Sequence, residues 1–216
     1  MGAGNLAIYN AKRGVNSKFD ASVGISCAFD MNKAISHIQS HCFGFYDVAV
    51  GKTFTQYAGN YYQQFDNLAA KMHPERMVGN AANELRYGSE IAAVFAKAAG
   101  MTLEQYIQEA EVTPILHMIK KPFFFISSED DPFFGKDVIP IGHCHENILL
   151  GVLKHGGHCC SIEGGLLPTA CWWSKPSILF IEHYVKEALR AEETCDTDSQ
   201  LLPESAKVKQ NIGKFD

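Results

Sequence analysis

The spacing of apolar and small residues divides this chain into elements before any chemistry is considered. In residues 2–13, Ala3, Ala7 and Ala11 recur at every fourth position, as do Gly4 and Ile8. That interval sets them on one face of a helix, and their size suits close packing on a sheet. Gly14 supplies the stop signal. In DASVGISCAF (20–29), Val23, Ile25 and Cys27 alternate with small residues, which predicts a short buried strand. From Met31 to Glu111 the pattern changes: aromatic and polar residues mix, and no good strand is found. NYYQQFDNLAAKM and NELRYGSEIAAVFAKAAG read as helices, and TLEQYIQEA opens with Thr102 and Gln105 in capping-box spacing. Residues 31–111 therefore read as a helical insertion, larger than an ordinary crossover connection.

Beyond Pro122 the signals sharpen. PFFFISS is a continuous apolar run bounded by turn chemistry, the pattern of a central parallel strand, and EDDPFFG after it is a loop. NILLGVLK (147–154) is a further buried strand and ends in the loop HGGH. SKPSILFIEHYVKEALRAEE predicts a last helix, with Pro176 early and Ile178, Ile181, Val185 and Leu189 on one face. Thr194 to Asp216 is polar and unpatterned. Alternating helices and buried strands predict an α/β protein: a core from residues 1–30 and 112–193, a helical insertion over 31–111 and a polar tail over 194–216.

Composition narrows the class. The 216 residues are 46% hydrophobic and 20% charged, the size and balance of one domain with a substantial core. A net charge of −5 without a basic run argues against nucleic acid or anionic membranes as partners. No stretch approaches the ~18 apolar residues a membrane helix needs. Seven cysteines, an odd number that includes the adjacent Cys159 and Cys160, predict free, mostly buried thiols in a reducing, intracellular setting.

Candidate chemistry sits in two loops. Asp131 lies just past one predicted strand and His158 just past the next. Parallel strands present their carboxyl ends at one edge, so both side chains should arrive there together. An acid and an imidazole so placed can orient and charge-stabilise each other, as proton transfer requires. Gly156 and Gly157 let the backbone turn sharply, and Pro132 fixes the chain after the acid. Taken singly, Asp-Asp-Pro is a common turn and Gly-Gly-His a glycine turn with a surface histidine. The pair, in acid-then-histidine order at two strand ends, is far more specific.

Three rivals share the sequence. Gly24, Ser26 and Ala28 make a Gly-x-Ser-x-Ala run after a strand, but Phe29 and Asp30 intervene before any helical pattern, whereas a nucleophile elbow runs directly into its helix. His143, Cys144, His145, His155, His158, Cys159 and Cys160 are crowded, yet lack the knuckle spacing of a zinc site, so no metal is expected. Cys159 beside the histidine is a conceivable nucleophile, but immediate neighbours seldom face each other productively. Trp172 and Trp173 are expected to pack the last helix.

The stretches GAGNLAIYNAKRG, ASVGISCAFDMNKA, MIKKPFFFISSEDDPFFG, VIP (138–140) and HGGHCCSIEGG together resemble the α/β-hydrolase superfamily, and within it the YheT-like, embryogenesis-associated group of esterases and lipases. The resemblance covers about residues 2–190. It implies a partial α/β-hydrolase fold, with Asp131 as the triad acid, because it abuts the proline position as Asp130 does not, and His158 as the general base. Residues 31–111 would form the cap over an acyl pocket. Such enzymes carry a Gly-x-Ser-x-Gly elbow that runs on into Gly-Ala/Gly-Asn-Leu. Laid on this chain, the nucleophile falls one position before Met1, and the chain resembles a carboxyl-terminal half. Ser26 would then sit on the strand after the nucleophile's. The implied activity is serine-type hydrolysis of a small ester or acyl-lipid without a metal or organic cofactor, with membrane contact through the preceding half. The competing reading is an inactive remnant that serves as an interaction module. Cys159, Cys160 and Ser161 depart from the group's aliphatic, glycine and aromatic residues at those positions, which bears on how the loop aims His158.

Overall fold

The computed structural model describes residues 2–79, 85–159, 162–164 and 170–200, without the side chains of 57–60 and 191–200. Cys160, Ser161 and the tail beyond Gln200 lie outside the described residues. The architecture is α/β. Strands β1 (Ser22–Ile25), β2 (Phe123–Ser128) and β3 (Ile148–Leu153) form a parallel sheet in the order β1-β2-β3. Ser22 pairs with Phe123 and Phe123 with Ile148, and the register runs on to Ile25–Ile126 and Ser128–Leu153. Every residue of the central strand is buried, which is why its sequence is apolar on both faces.

Helix α1 (Gly2–Arg13) covers one face. Ala7 and Ala11 are fully or almost fully buried and join Phe29, Val112, Leu116, Phe123 and Phe125 in one core cluster. Small residues at spacing four let the helix approach the Phe123 and Phe125 rings, which stack with centroids 4.0 Å apart. Gly24 in β1 leaves room for them, since a Cβ there would lie 3.1 Å from each ring. The chain leaves the core at Phe29, whose carbonyl accepts bonds from the Val112 and Thr113 amides, so both ends of the intervening stretch meet at one point.

That stretch is helical, with no strand among its described residues. It holds α2 (Met31–Ser40), α3 (Phe45–Met72), α4 (Ile91–Ala99) and α5 (Leu103–Ala110). Asp30 caps α2 by accepting from the Lys33 amide at 2.9 Å. Thr102 and Gln105 cap each other's backbone at the start of α5, as their spacing predicts. Buried Asp47 accepts from the Ser89 amide at 2.7 Å and its hydroxyl at 3.0 Å, which ties α3 to the start of α4.

The last helix, α6 (Ser174–Gln200), departs from expectation twice. It runs to Gln200, past the Thr194 boundary of the predicted tail. Its contact with the sheet is made by Phe180, whose ring lies 5.3 Å from that of Phe124. Ile178, Val185 and Leu189 lie roughly 140–200° around the helix from Phe180 and are about half exposed. That part of the predicted apolar stripe is turned away from the narrow sheet, while Ile181 is half-buried. A two-residue antiparallel pair, β4 (Ile162–Glu163) with β5 (Ala170–Cys171), precedes α6 and has no signal in the sequence pattern.

Candidate functional site

Parallel pairing of β2 with β3 brings the two loops to one edge of the sheet. His158 Nδ1 lies 2.9 Å from Asp131 Oδ2. Asp131 is 4% exposed, and its Oδ1 accepts from the Phe133 amide at 2.8 Å and the Phe134 amide at 3.2 Å. The carboxylate is thus held by its own turn, with Pro132 fixing φ at its start. Phe133 and Phe134 set their rings edge-on to the imidazole, with centroids 4.6 and 4.9 Å away.

Asp130 takes a different task, one the sequence did not reveal. Its Oδ1 accepts from the Gly156 and Gly157 amides at 3.0 and 2.9 Å, stitching the acid loop to the histidine loop. Those bonds, the Gly157 amide foremost, hold its carboxyl below the usual range. Adjacent aspartates are therefore divided between backbone and imidazole. The signal that could have found this role is the free amides of a Gly-Gly turn opposite an acid.

Cys159 corrects a sequence expectation. Its φ is +63°, in the left-handed region, and this turn brings neighbouring side chains together. The thiol lies beside the His158 imidazole and the Ser26 hydroxyl. The imidazole contact outweighs burial and, helped by Ser26, lowers the thiol's pKa. Burial alone would lower His158, but the Asp131 hydrogen bond, the Cys159 contact and the charges of both raise it to about 9.

Ser26 also has a positive φ, +49°, at the end of β1. Its Oγ accepts from the Cys159 amide at 3.2 Å, so it anchors the histidine loop. It is 7% exposed and is not among the residues lining the cavity described next. Trp173 likewise serves this loop: its Nε1 donates to the Cys159 carbonyl at 3.2 Å. His37 of α2 packs under the acid loop, where a Cβ on Gly135 would lie 2.5 Å from its Nδ1. Burial, then the neighbouring His41, holds its pKa down.

The imidazole opens onto a cavity of about 260 Å³ between the first turns of α1 and the helices of 31–111. Gly4, Asn5, Ile35, Ile91 and Phe134 are among its walls, and no Asp, Glu, Lys or Arg among the described residues lines it. Among the described residues, no group of three or more His, Cys, Asp or Glu is placed to hold a metal ion. No helix of the described residues is long and apolar enough to cross a membrane.

No protein-family model matches the chain. It is 26% identical over 180 residues to the curated protein named "Putative esterase YheT" from Escherichia coli (strain K12). The match takes in 80% of this chain, which spans about half (50%) of that relative's length.

Proposed function

We propose that this chain carries the acid, Asp131, and the base, His158, of a serine-type carboxylic-ester hydrolase acting on a small ester or an acyl-lipid. The observation that carries the reading is the 2.9 Å Asp131–His158 contact at the rim of an uncharged cavity. In this reading the imidazole takes the proton of the nucleophilic hydroxyl as it attacks the ester carbonyl. Asp131 stabilises the imidazolium, and the proton then passes to the departing alkoxide. Water repeats the sequence to release the acid. The nucleophilic serine sits in an elbow directly ahead of α1, whose Gly4 and Asn5 share the cavity with His158. The oxyanion hole comes from that same preceding segment, which would also make any membrane contact. Residues 31–111 act as the cap that shapes the acyl site.

The test is to express the chain with and without the coding segment upstream of its first codon, and to treat both products with a fluorophosphonate. The extended product should be labelled and should hydrolyse p-nitrophenyl esters, and His158→Ala should abolish both properties. Stoichiometric labelling of the 216-residue chain at Ser26, or activity that survives His158→Ala, would overturn the reading.

A further inference from the structure

The helices of 31–111 meet the acid loop at two points. At the first, α2 sets the His37 ring on Gly135, which turns left-handed at φ +69°. A Cβ there would lie 2.5 Å from the ring's Nδ1 and 2.6 Å from its Cε1, so glycine makes both the turn and the notch that receives the ring. The Gly135 amide donates to the Asp131 carbonyl at 3.0 Å, which puts notch and acid in one tight turn. The second point is Tyr46 of α3, edge-on to Phe133 with centroids 5.7 Å apart. His41 joins the two, stacked on His37 at 4.8 Å and tilted to Tyr46 at 6.0 Å. This file of rings ends on the site itself. Phe133 stands 4.6 Å from His158, and its amide is held by Asp131.

Ring packing alone does not account for a histidine at position 37. Its Nε2 is buried and has no hydrogen-bond partner among the described residues. A phenyl ring would fill the notch without orphaning a nitrogen. What the imidazole adds is the ability to take up a proton near neutrality. Burial and then His41, on the same helix, disfavour that cation. Asp131 and Asp137, from the acid loop and the turn after it, favour it less strongly.

We propose that His37 is a positioning residue through which the helices of 31–111 set the bearing of Asp131 on His158, held while its ring is neutral and in the Gly135 notch, and released when that ring takes up a proton. The inference rests on the hydrolase reading for the roles of Asp131 and His158, and adds control of that site from outside it. In the cation both ring nitrogens are donors, and the buried Nε2 has no acceptor. Water must reach the ring, so α2 lifts from the loop. Because the folded pKa lies below 6.5, the contact is at full strength above pH 6.5 and weakens as pH falls from there through the folded value.

Proton resonances of the 216-residue chain test this without any need for a nucleophile. The His158 Cε1 signal should move in two steps, its own near pH 9 and a smaller one below pH 6.5 that coincides with the titration of His37. His37→Phe, whose lost signal assigns His37, keeps a ring in the notch but no proton. The lower step should vanish there and the upper one stay. His37→Ala empties the notch, and the upper step should fall by roughly 1 unit, a part of the 1–3 that an opposite charge supplies. Circular dichroism melts establish that each variant is folded, and if His37→Ala is not, His37→Phe decides. A wild type without the lower step overturns the proposal. So does a lower step undiminished in His37→Phe, or an upper step that a folded His37→Ala leaves in place. An upstream-extended product that fails to hydrolyse esters while these shifts appear refutes the hydrolase reading alone.

Discussion

Replacing Asp131 by asparagine removes a charge while leaving the local turn its acceptor. The amide oxygen can still take the Phe133 and Phe134 amides, now bonded at 2.8 and 3.2 Å. What disappears is the anion 2.9 Å from His158 Nδ1. The imidazole then keeps the burial that lowers it and loses the largest influence that raises it from 6.5 to about 9. An opposite charge at this range is worth about 1–3 pKa units, so the His158 titration should move down by that much in Asp131→Asn. The raised wild-type value corresponds to about 3 kcal/mol, at 1.36 kcal/mol per unit. Because the folded value lies above the unfolded one, this stabilisation is complete below pH 6.5 and is lost as pH rises through about 9. The 1–3 units lost in Asp131→Asn correspond to about 1.4–4 kcal/mol, so wild type should lose that much more stability than the variant across the window, read from their urea unfolding curves. The histidine Cε1 proton resonance, assigned by its loss in His158→Gln, follows the titration directly. A His158 that still titrates near pH 9 in Asp131→Asn would refute the claim that the carboxylate holds the proton there.

Cys159, with its lowered pKa and exposed position, should be alkylated by iodoacetamide at neutral pH well before Cys27, which is 3% exposed and raised to about 12 by burial. Peptide mass spectrometry over time checks the order. Gly24→Ala should destabilise the fold by about 1–3 kcal/mol in urea, because its methyl meets two stacked rings at 3.1 Å. On the proposed hydrolase reading, kcat/KM of the upstream-extended product should climb with pH towards a plateau above about 9, because only the neutral imidazole accepts a proton. A plateau reached by pH 7 would contradict the raised pKa.

Much of the fold was legible because it follows from side-chain pattern. The run Phe123–Ile126 is apolar on both faces because both are covered, and the small-residue spacing of α1 reports the surface it must approach. That Asp131 and His158 would meet follows from parallel pairing alone, which puts both loops at one edge. Other features have no pattern to read. The turn at Cys159 depends on a left-handed backbone that its residue type does not favour, held by the Ser26 and Trp173 bonds from distant parts of the chain. α6 sets Phe180 on Phe124 and leaves Ile178, Val185 and Leu189 about half exposed, against the apolar periodicity of the helix itself. The tasks of Asp130 and Asp131 separate only when the glycine amides of the second loop are in place.

The stitch that Asp130 makes to Gly156 and Gly157 reaches further than loop stability. It fixes the loop that carries the imidazole in the folded chain, so on the proposed reading a substrate would meet a ring already aimed and lose no freedom in aiming it. Slackening this knot would blur that aim while every reacting atom stayed in the molecule.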